Sequence, residues 1–249
     1  MSTLLLRLAA PMQSWGVDSK FDRRNTGRSP SKSGVLGLCA AALGFRRDEE
    51  DKIEKLANLK FGVRIDKPGK LVKDFHMAHE EAFWDPNDRS KINQNKKSKS
   101  SYLTIRYYLA DAAFLAGLEG DENFLHEIDA AICAPMFPLY LGRRSCPPAG
   151  RVSLGIVSYD LQTALENQPP INCYSPYRLR TDETPRIVVD TDEGYDLRRD
   201  LPRSFNPEHR KYDFRCVREF YLSMSPQIID EQKTENHDAL AELEEPPCT

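Results

Sequence analysis

The chain has 249 residues, of which 40% are hydrophobic and 29% charged, and its formal net charge is −3. This length suits one or two domains with a sizeable core, and no apolar run approaches the roughly 18 residues of a membrane helix. The six cysteines contain no C-x-x-C pair, which excludes a zinc ribbon and a disulfide scaffold. We therefore expect a cytoplasmic protein with reduced thiols, no secretory signal and no membrane segment.

Charge is distributed unevenly along the chain. Lysines and arginines outnumber acids by 24 to 20 in residues 1–160, whereas acids outnumber them by 18 to 11 in residues 161–249. Residues 226–249 alone hold seven acids and one lysine. We predict that this segment is a solvated, disordered acidic tail, which is more often a tether than a site.

The predicted elements of the first half begin with a buried strand. Residues 3–9 form an apolar run typical of such a strand, and a polar loop follows at residues 10–32. Ser33 has the character of a helix N-cap, and the apolar residues after it predict a helix that packs against a sheet. The other elements predicted here are a helix at 48–58 and strands at 60–66 and 70–77.

In the second half, a polar segment at residues 78–101 interrupts the pattern. Residues 102–118 then predict two strands or one bent strand, and the apolar face of residues 121–133 predicts a helix. The order of strand, helix, strand, strand, helix, strand predicts an α+β fold of the ferredoxin-like class. Later strands are predicted at 152–158, 186–190 and 214–222.

The loop RRNTGRSPSKSG at residues 23–34 places several cations before a predicted helix N-terminus. Free N–H groups and the positive end of the helix dipole make such a position suited to phosphate. Thr26 and Ser31 replace the glycines of a phosphate-binding P-loop, which disfavours an ATPase. The loop is therefore predicted either to bind phosphate or to be a solvated basic loop.

A second basic segment, LGRRSCP at residues 141–147, contains two adjacent arginines. Arg143 and Arg144 are suited to clamping phosphates or to stacking on bases. Nearby arginines would lower the pKa of a cysteine thiol, but no histidine lies close in sequence. We therefore expect Cys146 to be structural rather than a nucleophile.

A third basic segment extends from Arg89 to Arg106 and holds six basic residues and no acid. Lysines interleaved with Asn, Gln and Ser suit an arm that folds along a sugar-phosphate backbone, but they also suit a disordered surface loop. His76 and His79 lie nearby, but the metalloprotease spacings H-E-x-x-H and H-x-x-E-H are absent. We expect neither a metal nor a cofactor.

Seven segments follow one another in a specific order, and together they are similar to one known family. They resemble the successive sequence blocks of the CasD subunits of type I-E Cascade, a CRISPR surveillance complex. Those subunits belong to the repeat-associated mysterious protein (RAMP) superfamily. The segments are APMQSWG at 10–16, R-x-T-G-R-x-P-x-K-S-G at 24–34, GLCAAALG at 37–44, DFH at 74–76, R-x-Y-L-x-D-A-x-F at 106–114, PLYLGRRSCP at 138–147 and LPRSF at 201–205.

This resemblance implies a ferredoxin-like (RNA-recognition-motif-like) domain over residues 1–160, with a β-hairpin thumb at about 77–103, and a smaller β-rich extension over 161–225. It implies that one copy per complex caps the 5′ repeat-derived handle of the CRISPR RNA and meets target DNA only through that guide. The expected protein neighbours are the backbone subunit CasC and the large subunit CasA. A separate endonuclease cuts the precursor in this subtype, so the resemblance implies a subunit that is not an enzyme.

Single-stranded RNA is held by a positive groove and by stacking on aromatic rings or guanidinium planes. The aromatic RNP1 pattern is absent, so we expect the RNA to follow loops and thumb rather than the sheet. Trp15, Tyr108 and Tyr140 are the candidate stacking platforms. The residues predicted to bind RNA are Trp15, Arg24, Thr26, Arg28, Lys32, Ser33, Lys96, Lys97, Lys99, Arg106, Tyr108, Tyr140, Gly142, Arg143, Arg144 and Ser145.

Two other functions also fit the sequence. A metal-independent endoribonuclease that cuts CRISPR repeat RNA would need a base such as His76 or Tyr107 beside a ribose hydroxyl. A purely structural bridge would hold neighbouring proteins and touch RNA only incidentally.

Overall fold

The computed structural model describes residues 1–16, 23–79, 101–171, 184–194, 196–206 and 208–222. These residues form an α+β fold, which confirms the α+β part of the prediction. Most of the fold is one sheet of nine strands. The strands are β1 (Ser2–Gln13), β2 (Arg23–Arg24), β3 (Lys60–Lys67), β4 (Lys70–His79), β5 (Ser101–Gly120), β6 (Ser153–Val157), β7 (Arg186–Asp190), β8 (Asp196–Ser204) and β9 (Lys211–Tyr221).

The strands lie in the order β6-β1-β5-β3-β7-β9-β8, and β2 and β4 pair with β5 outside this row. β1 and β3 flank one half of β5, while β4 pairs with its other half from Ala110 to Ser101. Between the two halves Asp111 adopts a φ of 55°, a left-handed conformation that aspartate tolerates. β5 is therefore one long strand that belongs to the main row of strands at one end. At its other end it forms a ribbon with β4, which β2 joins at Ile105 and Arg106.

Four helices of the described residues cover both faces of the sheet. Leu4, Leu6 and Leu8 of β1 belong to one core cluster, and Leu5 and Ala9 belong to a second. Successive side chains of a strand point to opposite faces, so a strand buried on both sides is apolar throughout. The first cluster lies under α1 (Lys32–Ala42), α2 (Glu50–Ala57) and α3 (Glu122–Cys133), and the second lies under α4 (Leu161–Asn167).

The N-cap of α1 lies two residues earlier in the chain than the sequence predicts. The N-cap is Ser31, whose Oγ accepts a hydrogen bond from the backbone N–H of Gly34 at 3.2 Å. Ser33 therefore lies in the first turn of the helix, so its prediction as the N-cap is wrong. Both serines satisfy the local preference for a small polar residue here, and the tertiary contacts decide between them.

Three elements were not predicted, namely β2, α4 and β8. β2 has two residues and α4 has seven, so neither leaves a periodic signal in the sequence. β8 carries several charges and Pro202, which are features that disfavour a strand assignment. The predicted thumb lies mostly outside the described residues, as do Lys96, Lys97, Lys99 and the acidic tail at 226–249.

A buried network of charges joins the C-terminal strands to α1. Asp190 accepts a hydrogen bond from Lys32 Nζ at 2.9 Å and forms an ion pair with Arg215. Arg215 also donates to Asp200, from Nε at 2.6 Å and from NH2 at 3.0 Å. Burial lowers the pKa of Lys32, although Asp190 opposes that shift. The network therefore holds β7, β8 and β9 against the start of the helix.

We expect Arg215→Met to lower the free energy of unfolding by about 3–5 kcal/mol, because two buried carboxylates would lose their shared cation. The matched control is Arg203→Met, which breaks an exposed pair with Asp213 and should cost about 0–1 kcal/mol. Urea unfolding of both variants measures the difference. Equal costs would show that the buried network does not hold these strands in place.

Candidate nucleic-acid interface

The site forms where three parts of the chain meet, namely the loop at residues 23–28, the turn at residues 141–146 and residues 105–108 of β5. Trp15, directly after β1, anchors the first of them. Its backbone N–H donates to Thr26 Oγ1 at 2.8 Å, and its carbonyl accepts from the N–H of Gly27. These bonds hold the loop that carries Arg24 and Arg28 against the end of β1.

The second segment, residues 141–146, packs against the same place through a close backbone contact. Gly142 has a φ of +87°, and a Cβ added to it would lie 1.7 Å from the carbonyl oxygen of Ser14. The N–H of Ser14 donates to the carbonyl of Leu141 at 3.1 Å. Only glycine fits this position, because any side chain would collide with the backbone of the neighbouring segment.

Arg143 connects all three segments. Its guanidinium donates to the carbonyl of Arg24 at 2.7 Å and to the carbonyl of Tyr107 at 3.3 Å. It also lies over the ring of Tyr108, 4.8 Å from the ring centroid. Arg143 therefore fixes the relative positions of the first loop, β5 and its own turn.

The pairing of β2 and β4 with β5 aligns further charges on one face of the ribbon. Arg24 is the register partner of Arg106 on one side, and Asp74 is the partner of Arg106 on the other. Paired residues place their side chains on the same face, as do residues two apart in one strand. This face, which we call the arginine face, thus carries Arg24, Arg106 and, two residues on, Tyr108.

The opposite face of the ribbon is mostly apolar, with the pair Lys73 and Tyr107 as its polar exception. Its register pairs are Leu71 with Leu109, Phe75 with Ile105 and Met77 with Leu103. Leu71 and Phe75 are each 60% exposed, and Met77 and Leu103 are also exposed. The ribbon therefore presents one face that carries arginines and one face that is largely apolar.

Tyr108 lies at the centre of the polar contacts. Burial alone would raise the pKa of its hydroxyl. Hydrogen bonds with Ser145, Arg143 and Arg106, together with the charge of Arg143, outweigh burial and lower the pKa of Tyr108 below its ordinary value. The lowered pKa of Tyr108 therefore reflects the cationic surroundings of its hydroxyl.

The structure corrects three of the roles predicted from the sequence. Trp15 is fully buried, its indole N–H donates to Gln13, and Gly34 packs on its ring, so it offers no stacking surface. Tyr108 is only 5% exposed and Arg143 lies over its ring, so it is no platform for a base either. Aromatic residues serve the core as readily as they serve RNA, and sequence alone does not distinguish the two.

Lys32 is the third correction. Its ammonium is buried and paired with Asp190, and its backbone N–H donates to Asp200 Oδ2 at 2.7 Å. The start of α1 does attract an anion, as its position in the sequence indicates. That anion is the carboxylate of Asp200, 168 residues further along the chain, so no phosphate is expected there.

The remaining predicted residues divide into two groups. The site described above brings together Arg24, Thr26, Arg106, Gly142, Arg143 and Ser145. Thr26 contributes through its hydroxyl, and Gly142 contributes through the close approach of its backbone to Ser14. Arg28 and Arg144 are exposed, while Ser33 and Tyr140 are partly exposed beside them. Their roles in binding RNA stay predictions, as do those of Lys96, Lys97 and Lys99, which lie outside the described residues.

Cys146 and Gln13 complete the support of the site. Cys146 is buried, and burial raises the pKa of its thiol, as expected of a structural cysteine rather than a nucleophile. Gln13 was missed from the sequence; its amide donates to the carbonyls of Leu8 and Ala112 and accepts from Trp15. No periodic pattern marks such a residue, because its partners come from distant strands.

Comparison with known proteins identifies the family. Residues 3–218 match the family described as "CRISPR-associated protein (Cas_Cas5)", and the chain belongs to this family. It is 35% identical over 178 residues to "CRISPR system Cascade subunit CasD" of Escherichia coli (strain K12), covering 68% of this chain and 78% of that relative. The resemblance to CasD subunits that the sequence segments indicate is thereby confirmed.

Two solved structures are similar over nearly the whole chain. One is described as "CRISPR RNA-guided surveillance complex", with 32% identity and a TM-score of 0.73, covering 91% of this chain and 92% of that chain. The other is "Crystal structure of Cas protein", with 38% identity and a TM-score of 0.66, covering 88% and 94%. No helix among the described residues is both long and apolar enough to cross a membrane.

We expect Gly142→Ala to lower the free energy of unfolding by more than about 2 kcal/mol, because the new methyl group meets the Ser14 carbonyl and the backbone is strained as well. Gly155→Ala is the matched control, since Gly155 has a φ of +95° but nothing within 4 Å of an added Cβ. It should cost only the strain of about 1–2 kcal/mol. Urea unfolding separates the two, and equal costs would show that the contact with Ser14 is unimportant.

Proposed function

We propose that this chain is a non-catalytic CRISPR RNA-binding subunit of a type I-E Cascade complex in the cytoplasm. In this proposal it caps the 5′ repeat-derived handle of the guide RNA, bridges neighbouring subunits and meets target DNA only through the guide. The named Cascade relative and the similar surveillance-complex structure support this assignment. It requires neither a metal nor a cofactor.

The observation that carries the proposal is that arginines from the 23–28 loop, from β5 and from the 141–146 turn lie on one surface. Arg24, Arg106 and Arg143 come from three different parts of the chain, Arg24 and Arg143 being 119 positions apart, and Arg144 follows Arg143 in the same turn. Among the described residues, Asp74 is the one acid whose register places it beside Arg106 on this face. Such a concentration of guanidinium groups suits the closely spaced phosphates of a nucleic-acid strand.

The path of the RNA follows from where these arginines lie. They occupy loops and the ribbon of β4 and β5, which stands beside the main sheet. We propose that β6, β1, β5 and β3 with their helices are the ferredoxin-like unit, and that the ribbon is the base of the thumb. The basic residues at 89–99 come just before β5 in the sequence and would continue the same charged track.

The apolar face of the ribbon supports the bridging part of the proposal. Leu71, Phe75, Met77 and Leu103 are exposed together on the side away from the arginine face. Lys73 and Tyr107 lie on the same face, between Leu71 and Phe75. Exposed apolar groups gathered on one surface are typical of protein contacts. CasC, and CasA nearby, are the neighbours that the family resemblance implies for this chain.

The positions of the candidate bases favour a binding role over catalysis. His76 pairs in register with Thr104, and Tyr107 pairs with Lys73. Since neighbouring pairs alternate between faces, His76 and Tyr107 lie on opposite faces of the ribbon. They are therefore not positioned to act as acid and base on one ribose.

We expect Arg144→Ala to weaken RNA binding without changing the free energy of unfolding, because Arg144 is exposed. If it neutralises one phosphate, the dependence of log affinity on log salt should become shallower by about 0.7.

Arg143→Ala should weaken binding and also cost about 1 kcal/mol of stability, because its contacts join three segments. Fluorescence anisotropy at several salt concentrations, with urea unfolding, checks both. Loss of stability without loss of RNA affinity in either variant would place the RNA elsewhere.

We also expect the purified chain to leave CRISPR repeat RNA intact, both in EDTA and in magnesium. Gel analysis of end-labelled RNA after prolonged incubation tests this. Specific cleavage that His76→Ala abolishes would replace the binding role with the endoribonuclease alternative.

A further inference from the structure

β9, the last described strand, ends at the rim of a cleft beside the loop that carries Arg28. The cleft has a volume of about 630 Å³, and both Arg28 and Tyr221 line it. Tyr221 is the last residue of β9, and the N–H of Leu222 donates to the carbonyl of Pro185 at 2.8 Å. The last described strand therefore ends at the cleft that Arg28 also lines.

The cations of this cleft differ in their partners. Arg186 also lines the cleft, but Glu219 pairs with it at 2.8 Å. Arg28 is exposed and has no ion pair among the described residues. Arg24 is four residues away along the chain, so at most about 14 Å separates the two backbones. Asp66, the acid in the lining of the cleft, is paired with Arg64. We call Arg28 together with the neighbouring Arg24, Arg106, Arg143 and Arg144 the positive surface.

The segment that begins at this rim has the opposite charge. Residues 226–249 hold seven acids and one lysine. The 27 residues that follow Leu222 can extend at most about 90 Å. The acids can therefore reach Arg28 at the cleft and, beyond it, the arginines at residues 24, 106, 143 and 144.

We propose that the acidic segment 226–249 binds this positive surface within its own chain and competes there with RNA. The inference rests on the proposed RNA-binding function and adds a control of it. Before assembly, carboxylates occupy positions that phosphates take later, so that the chain resists arbitrary RNA. A CRISPR RNA that makes the full set of contacts displaces the segment.

Tethering makes this competition effective although each ion pair is weak. A short tether gives the segment an effective concentration on the order of millimolar at the site. Exposed pairs are screened by salt over about 8–10 Å, so the competition should decline as salt rises. We therefore expect neutralisation of the acids to raise affinity for RNA about tenfold at low salt and less than about twofold at 0.5 M salt.

The test compares full-length chains binding a fluorescein-labelled single strand of twelve uridines, a probe that reports the sequence-independent contacts. The first variant neutralises three acids of the segment, by Glu242→Gln, Glu244→Gln and Glu245→Gln. The matched control neutralises three exposed acids of α2 and α3, by Glu50→Gln, Asp51→Asn and Glu127→Gln. Both variants change the net charge equally, and neither α2 nor α3 contributes to the arginine face or the cleft.

The proposal expects tighter binding at low salt in the first variant and little change in the control. It also expects the gain to shrink when Arg28→Gln is added, because the segment loses a partner. Equal gains in both variants would mean that only net charge matters and would overturn the inference, as would no gain in either. Those outcomes leave the proposed function intact, whereas a wild type and variants that all fail to bind the probe would overturn both.

Discussion

The approach of Gly142 to the carbonyl of Ser14 is the contact on which the arginine face depends. It allows the turn at residues 141–146 to lie against the end of β1, where no side chain would fit. From that position Arg143 reaches the carbonyl of Arg24 and the ring of Tyr108. The site is therefore assembled by backbone contacts, and the exposed cations are left to bind a ligand.

The chain uses its cations in two distinct ways. Lys32 and Arg215 are buried, and their charges are matched by Asp190 and Asp200 inside the fold. Such pairs position the C-terminal strands but offer nothing to an external anion. Arg144 and Arg28 lie in solvent, where a phosphate can pair with them at a smaller desolvation cost. The proposed role in RNA binding rests on this second group together with Arg24 and Arg106.

Elements with a strong periodic pattern were predictable from the sequence. The strand at residues 186–190 occurs as predicted, and the helix at 121–133 begins one residue later because Asp121 is its N-cap. The meeting of the RRNTGR and LGRRSCP segments was expected only through the family resemblance, since no local signal links residues so far apart. The roles of Lys32, Trp15 and Tyr108 were mistaken for the same reason. Their partners, such as Asp190 and Gly34, come from parts of the chain that only the folded structure brings near.

Crosslinking of RNA to protein in the assembled complex tests the central claim most directly. After ultraviolet irradiation and digestion, mass spectrometry identifies the peptides of this chain that carry nucleotides and the end of the guide from which those nucleotides come. The account predicts crosslinks from the 5′ handle to residues 23–28, 104–108 and 140–146. Crosslinks confined to other surfaces of the chain, or to the 3′ end of the guide, would contradict it.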